Sequence, residues 1–541
     1  MKREIILAFT LSLFGLLYLL PGLSNSPRAT TSLDDGTIQG QVSDVRGRHL
    51  AGLFVSARSV ATGRTTYVLT RDQGRFQIPN LPAGEYEVLV QARGWEGQPQ
   101  RTKLDGSNHT GVVNFKVKPG VIYTSELTSA EVLPLLPDGE GKQVLLGSCA
   151  GCHTLRLMTR GEWSTDRWRE ITRDMVKMYG AVVPEGKEEV LVSYLSSTFA
   201  PQSPLRRATQ KMVPTAGKPM DVIYTAWDIP LQKSLPHTAT YGADGNVWFT
   251  DALSSRIGYL DVTTGKFKVW DAPTQNSIPH GIVVDKKGIV WFTERLHLDP
   301  ANKIVKFDPQ TEKFIEYSLP QKESGPHTLI FDKQGILWIS EYEGNRLARF
   351  DPETEKFTEY EVPTKDAKPY GVDIDKDGVI WIANIGSGSL SKFDPKVGKV
   401  IDYPTPTKNS GVRRVRVDSK GCVWFAEFLT DRLGMFDPKT EKMTEYLMPG
   451  VRPQPYALEV THDDKIWLST WHQDVMMKFD PDTKTFTSYP VPFLDLEIRD
   501  FRVAKDNTLL FVAMMPNKVV TMKEVDSPQM DSSNKMQEKK R

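Results

Sequence analysis

Pro279-His280-Gly281-Ile282-Val283-Val284-Asp285-Lys286-Lys287-Gly288-Ile289-Val290-Trp291-Phe292-Thr293-Glu294 decides how most of this chain folds. Two apolar runs flank an Asp-x-x-Gly turn, the pattern of an antiparallel strand pair. The same words return as Pro236-His237 with Val247-Trp248-Phe249-Thr250-Asp251 and as Pro326-His327 with Leu337-Trp338-Ile339-Ser340-Glu341. They continue through Pro369-Tyr370, Val412-Arg413, Pro455-Tyr456 and Ile498-Arg499, at steps of 43 residues with one step of 47. Each copy adds a hairpin such as Asp308-Pro309-Gln310-Thr311, so the repeat is a four-stranded unit and residues 221–525 read as a seven-bladed β-propeller. The seventh copy stops before its fourth strand. Val222-Ile223-Tyr224-Thr225-Ala226-Trp227-Asp228-Ile229-Pro230 matches that strand, so the ring is expected to close by taking it from the N-terminal end.

In an antiparallel pair, the first residue of one strand and the last of the next share an end. That end carries His237, His280, His327, Tyr370, Arg413, Tyr456 and Arg499 as a first set, and Asp251, Glu294, Glu341, Asn384, Glu427, Thr470 and Ala513 as a second. His297, in the longer repeat, and Trp471-His472 join it. A framework histidine would recur in every copy, whereas this one gives way to Tyr and Arg, so the end reads as a functional mouth. His280, His327, Glu294 and Glu341 are predicted to form one solvent-accessible cluster there. Neutral imidazoles with carboxylates suit proton transfer or a divalent ion, with Glu294 and Glu341 as the ion's carboxylates. Over about Val222 to Lys523 the repeat words Pro-His-x-Ile/Leu, Asp-x-x-Gly-x-Val-Trp-Phe-Thr-Glu and Phe-Asp-Pro-x-Thr-x-Lys-Phe resemble those of the virginiamycin B (streptogramin) lyase family. That resemblance implies Mg²⁺-dependent elimination at the ester of a cyclic depsipeptide. It would use His280 and His327 for the imidazoles and Glu294 and Glu341 for metal or orientation.

Cys149-Ala150-Gly151-Cys152-His153 is a c-type haem attachment motif. Two thiols at this spacing reach the two vinyl groups of one porphyrin while the next imidazole meets the iron axially. A zinc site would need a second ligand pair, and the one other cysteine, Cys422, is far away in a strand-like run. A redox dithiol would not need His153. Helical spacing surrounds the motif, with Trp168, Ile171, Met175 and Met178 on Thr165 to Tyr179, and Val190, Leu191, Tyr194 and Leu195 toward Phe199. Residues 120–200 therefore resemble a small class I cytochrome c, carrying covalent haem c on Cys149 and Cys152 with His153 as proximal ligand. The resemblance implies a distal methionine. Met175 is the candidate, Met178 its rival, and a site with no methionine ligand the third option.

Lys2 and Arg3, an apolar run from Ile5 to Leu20, Pro21-Gly22 and small polar residues to Ser26 give residues 1–26 the layout of a secretory signal peptide. The expected location is periplasmic or secreted, with a retained N-terminal anchor as the alternative, and no second stretch approaches membrane length. With 68 Lys+Arg against 67 Asp+Glu, the net charge of +1 leaves no electrostatic footprint for nucleic acid. Residues 36–117 alternate with period two between Gly and Pro punctuation. The words Gly74-x-Phe76-x-Ile78 and Leu81-Pro82-Ala83-Gly84-Glu85-Tyr86 resemble the carboxypeptidase regulatory-like domain, a transthyretin-like β-sandwich, which implies folding, adhesion or carbohydrate contact. His49 and His109 read as surface residues. Residues 201–220 form a linker, and the Lys/Glu-rich 526–541 a disordered tail.

The whole is a mainly β, multidomain chain: sandwich, small α-helical cytochrome c domain, propeller. Its expected function is electron transfer by an exported c-type haem protein. A periplasmic redox partner would serve it, and the propeller mouth would bind a small-molecule, carbohydrate or peptide ligand. A metal-dependent lyase with accessory haem, and a non-enzymatic binding module, are the alternatives.

Overall fold

A computed structural model describes residues 36–151, 153–160, 163–179, 181–200, 202–203, 205, 220–295 and 302–525. The expected signal peptide, Cys152, His297, nearly all of the linker and the tail lie outside the described residues, as does the side chain of Met178. The chain is mainly β. A strand-rich N-terminal unit comes first, then a helical segment, then a propeller-like ring of four-stranded antiparallel sheets.

In the ring, local chemistry explains the repeat words. Asp285 Oδ1 accepts from the backbone N–H of Lys287 (2.8 Å) and Ile289 (2.9 Å), which shapes the turn, and its Oδ2 accepts from Trp291 Nε1 at 3.3 Å. Asp332 with Trp338 (2.9 Å), Asp375 with Trp381 (3.2 Å) and Asp418 with Trp424 (2.9 Å) repeat the device. A buried indole thus gets its acceptor from the turn six residues before it, and its ring is free to pack between sheets. In four copies a strand-two hydroxyl ties the sheet to the next. Thr250 Oγ1 donates to the His280 carbonyl (2.7 Å), Thr293 Oγ1 to that of His327 (3.1 Å) and Ser340 Oγ to that of Tyr370 (2.7 Å). Inner strands approach so closely that a Cβ on Gly281 would stand 2.7 Å from the His327 carbonyl oxygen.

Closure follows the sequence expectation. Val222–Asp228 pairs antiparallel with Lys518–Glu524, which pairs with Leu509–Ala513. The sheet then continues. The other edge of Val222–Asp228 pairs with Thr65–Leu69 of the N-terminal unit, Ile223 opposite Val68 and Ala226 opposite Thr65. Eight strands therefore form one sheet, and a row of N–H and C=O groups that would invite aggregation is covered. Phe54, Tyr67 and Leu69 share a core with Tyr224, Tyr489, Phe501 and Phe511 across this junction. A separate core of Ile38, Val42, Val55, Phe76, Ile78, Val88 and Phe115 lies between the two N-terminal sheets.

The helical segment has α1 (Ser129–Val132), α2 (Glu140–Ser148), α3 (Leu155–Arg160), α4 (Thr165–Tyr179) and α5 (Glu188–Thr198). Thr128 and Glu131 form a reciprocal capping box on α1. Arg93 of the strand-rich unit grips the same Glu131 with two bonds of 2.6 and 3.0 Å. Val144, Leu145, Leu155, Trp168, Leu191, Leu195 and Phe199 make its core. None of the helices among the described residues is long and apolar enough to cross a membrane.

Candidate functional site

The first set of mouth residues meets in the channel. Ring centroids of His237 and His280 are 3.6 Å apart, those of His280 and His327 4.0 Å, and those of His327 and Tyr370 3.7 Å. The Tyr370 and Tyr456 hydroxyls bond each other, and Arg499 Nη1 donates to the Tyr456 hydroxyl at 3.3 Å. The Arg413 guanidinium lies 3.8 Å from the Phe428 ring centroid and 4.2 Å from that of Tyr456. Burial, reinforced by nearby guanidiniums, holds all three imidazoles well below their ordinary value, so they are neutral. They are also closed off: His237 is 5% exposed, His280 4% and His327 0%. The sequence expectation of a solvent-accessible cluster is corrected on this point.

The acidic positions share that end but not that face. Pro279 stands opposite Glu294, and Pro326 opposite Glu341. One residue further along a strand, His280 and His327 point to the other side, because side chains alternate. Glu294 instead faces Thr274 and Ser277, with Glu316 and Lys303 nearby, and Glu341 faces Glu359 and Arg346. Asp251, Asn384 and Thr470 hold the turn that follows their own strand. His280 and His327 are thus brought together, and Glu294 and Glu341 are not brought to them. Among the described residues no three His, Cys, Asp or Glu side chains are grouped to hold a metal ion, and the donor set for Mg²⁺ is not assembled.

Burial and the Glu359 carboxylate push Glu341 up to about 9, against 4.5 for an ordinary glutamate. The folded chain therefore keeps a proton that the unfolded chain releases. This contribution is complete in acid, below the ordinary glutamate range, and declines as pH rises toward 9. Glu341→Gln, which keeps the shape and removes the titration, is expected to stabilise the protein at pH 8 by several kcal/mol, on the order of 5 by this linkage, and to have little effect at pH 4. Melting curves at the two pH values check this, and equal shifts at both would sink it.

What occupies the mouth is the helical segment. Arg413 Nη2 donates to the Gly151 carbonyl at 2.9 Å, and the Ala130 N–H donates to the His472 carbonyl at 2.8 Å. The Thr154 N–H donates to Glu497 Oε1 at 3.1 Å, and its hydroxyl donates to the Asp495 carboxylate. Asp474 holds those two acids in place by accepting from the N–H of Asp495 (2.9 Å) and Leu496 (3.0 Å). The two features read independently from sequence, haem motif and mouth, are therefore one site. The sequence carried a signal for it: Asp495-Leu496-Glu497-Ile498-Arg499 departs from the Pro-His word of the early copies.

At this site Cys149 ends α2, and the His153 N–H donates to its carbonyl at 3.1 Å, so the imidazole follows the thiol by one helical turn. Burial and the Arg499 charge hold His153 down to about 4, which leaves its lone pair available to a metal rather than to a proton. Cys149 packs against the helical core. In that core the buried Trp168 indole N–H finds no acceptor among the described residues, the kind of atom that a carboxylate-bearing prosthetic group satisfies. Met175 is half-buried on α4. These residues fit a covalently held haem.

Residues 218–393 match the virginiamycin B lyase family and residues 37–118 the carboxypeptidase regulatory-like domain. No curated protein matches the chain. Among solved structures, virginiamycin B lyase from Staphylococcus aureus is 22% identical, covering 56% of this chain and 100% of its own, with a TM-score of 0.52. A catalytically inactive form of that lyase with quinupristin gives the same figures. A streptogramin B lyase structure is 25% identical over 56% of this chain and 97% of its own, with a TM-score of 0.51. The chain therefore joins a carboxypeptidase regulatory-like domain to a propeller of the virginiamycin B lyase type.

Proposed function

We propose that this is an exported c-type haem protein for electron transfer, in which residues 120–200 act as a class I cytochrome c domain seated on a seven-bladed propeller. The observation that carries the reading is His153, neutral through burial and one helical turn after Cys149, lying against the propeller mouth beside Arg499. Cys149 and Cys152 would hold the haem, with His153 and Met175 as its axial ligands, and the bound haem supplies one-electron chemistry. The chain's own contribution is to orient His153 through the bonds at Gly151 and Thr154, to exclude water by burial, and to place the Arg499 charge nearby. A positive charge beside the site favours the more reduced form. The apolar run at Ile5 to Leu20 supports export, and a periplasmic redox partner is the implied recipient.

The test is a spectrum of the exported protein, made alongside haem-attachment machinery, before and after a chemical reductant. A low-spin c-type spectrum that changes on reduction is expected. In Met175→Ala the methionine–iron charge-transfer band should vanish and the potential fall; an intact band would transfer the role to Met178. A haem-free product would sink the reading.

The family match over residues 218–393 favours a second reading, a lyase acting on a cyclic depsipeptide ester with haem as an accessory. Such a reaction turns over with no change in haem redox state, and that separates the two.

A further inference from the structure

We infer that the propeller mouth is a receptor for the chain's own stretch that carries Gly151, His153 and Thr154, so that this loop, and not a diffusing solute, is the ligand the mouth is built to hold. The inference does not rest on haem.

Its contacts come from separate sheets of the ring. Arg413 and the Asp495 and Glu497 carboxylates hold the loop itself, and the His472 carbonyl holds Ala130 of the same helical segment, so three neighbouring sheets of the ring grip it. The two acids are buried, Asp495 at 0% and Glu497 at 3% exposure. Donors to buried carboxylates are valuable, and here Thr154 supplies two, its N–H to Glu497 and its hydroxyl to Asp495, alongside Arg499, which donates to Glu497 Oε2 at 3.4 Å. Glu497 is specific to this copy of the repeat, since the corresponding positions before Pro279, Pro326 and Pro369 are Ile278, Gly325 and Lys368, whereas the position of Asp495 is Asn276, Glu323 and Asp366 in those copies. His237, near the Arg499 guanidinium, and His327, near that of Arg413, stand next to these contacts, and together with His280 they are buried.

Carbethoxylation by diethyl pyrocarbonate reads this directly. The reagent attacks neutral imidazoles, and the three channel histidines are neutral, so access alone sets their rates. His49 and His109 are exposed and serve as standards in the same molecule. In the full-length protein, peptide mass spectrometry should show the channel histidines reacting at least about tenfold slower than His49, as expected for sites reached only by local opening. A T154V/E497A double variant removes the hydroxyl that donates to Asp495 and the carboxylate that accepts from the Thr154 N–H. It should raise the channel rates at least about fivefold while leaving His49 unchanged. T154V alone, a milder change, should give an intermediate rate and guards against a misfolded double variant. Rates equal to His49 in the unaltered protein, or protection that persists in both variants, would overturn the inference.

Discussion

Replacing Arg414 by methionine is expected to lower the unfolding free energy by about 3–5 kcal/mol, the cost of breaking a buried ion pair from one side. Its side chain is 2% exposed at the centre of the ring. Nη1 donates to Thr328 Oγ1 at 2.9 Å, and Nε and Nη2 both donate to the Arg499 carbonyl, at 3.0 and 2.7 Å. Burial alone would raise the Asp500 carboxyl, but Arg414, Arg502 and Arg416 together hold it well below the usual carboxylate range. Methionine fills much of the volume and supplies none of these donors, leaving a hydroxyl, a carbonyl and part of a carboxylate's charge uncompensated. Urea unfolding followed by tryptophan fluorescence measures the loss. A change below about 1 kcal/mol would show that Arg416 and Arg502 suffice to satisfy Asp500.

Cys149→Ala is expected to impair covalent haem attachment severely, because one of the two thioether anchors is then missing. The effect is read as the loss of staining on a denaturing gel stained for haem, where non-covalent haem is lost. Cys152→Ala should behave alike. His153→Ala separates attachment from ligation: the stained band should persist while the low-spin spectrum disappears, since the thiols remain and the proximal imidazole does not. If the unaltered protein, matured in the same cells, shows no haem adduct by mass, attachment at this motif is ruled out. In all three variants the ring should keep its melting behaviour, because its sheets are tied by hydroxyls such as Thr293 and Ser340 that lie outside the loop.

The ring was legible because its determinants are local. Turn aspartate, indole and bridging hydroxyl sit within nine residues of one another and recur, so the pattern repeats in the sequence as it does in space. The closing strand was legible for the same reason, as a repeat word standing alone at the other end. Its second partner, Thr65–Leu69, left no trace, because an edge that accepts one strand carries no local mark of whether it accepts two. At the mouth, polarity gave the correct end for His280 and Glu294. Their separation to opposite faces turns on a single residue of register, with a break in the pairing between Pro279 and Ile282. The contact of loop and mouth joins residues 262 apart, Gly151 and Arg413, and no periodicity reports such a distance.

The covered edge of Val222–Asp228 bears on how the molecule is made. Asp228 and Lys518 meet across 290 residues, so the ring cannot shut until nearly all of the chain has emerged. Long-range strand pairing is slow, and an open strand waiting for its partner is exposed to wrong ones. Here the wait is shared. Thr65–Leu69 precedes Val222–Asp228 in synthesis and can hold it from the moment it appears, as a template on which the last three strands later assemble. The small N-terminal unit would then act as a folding seed for the large C-terminal one, and its loss would be felt first as slow, aggregation-prone maturation of the ring.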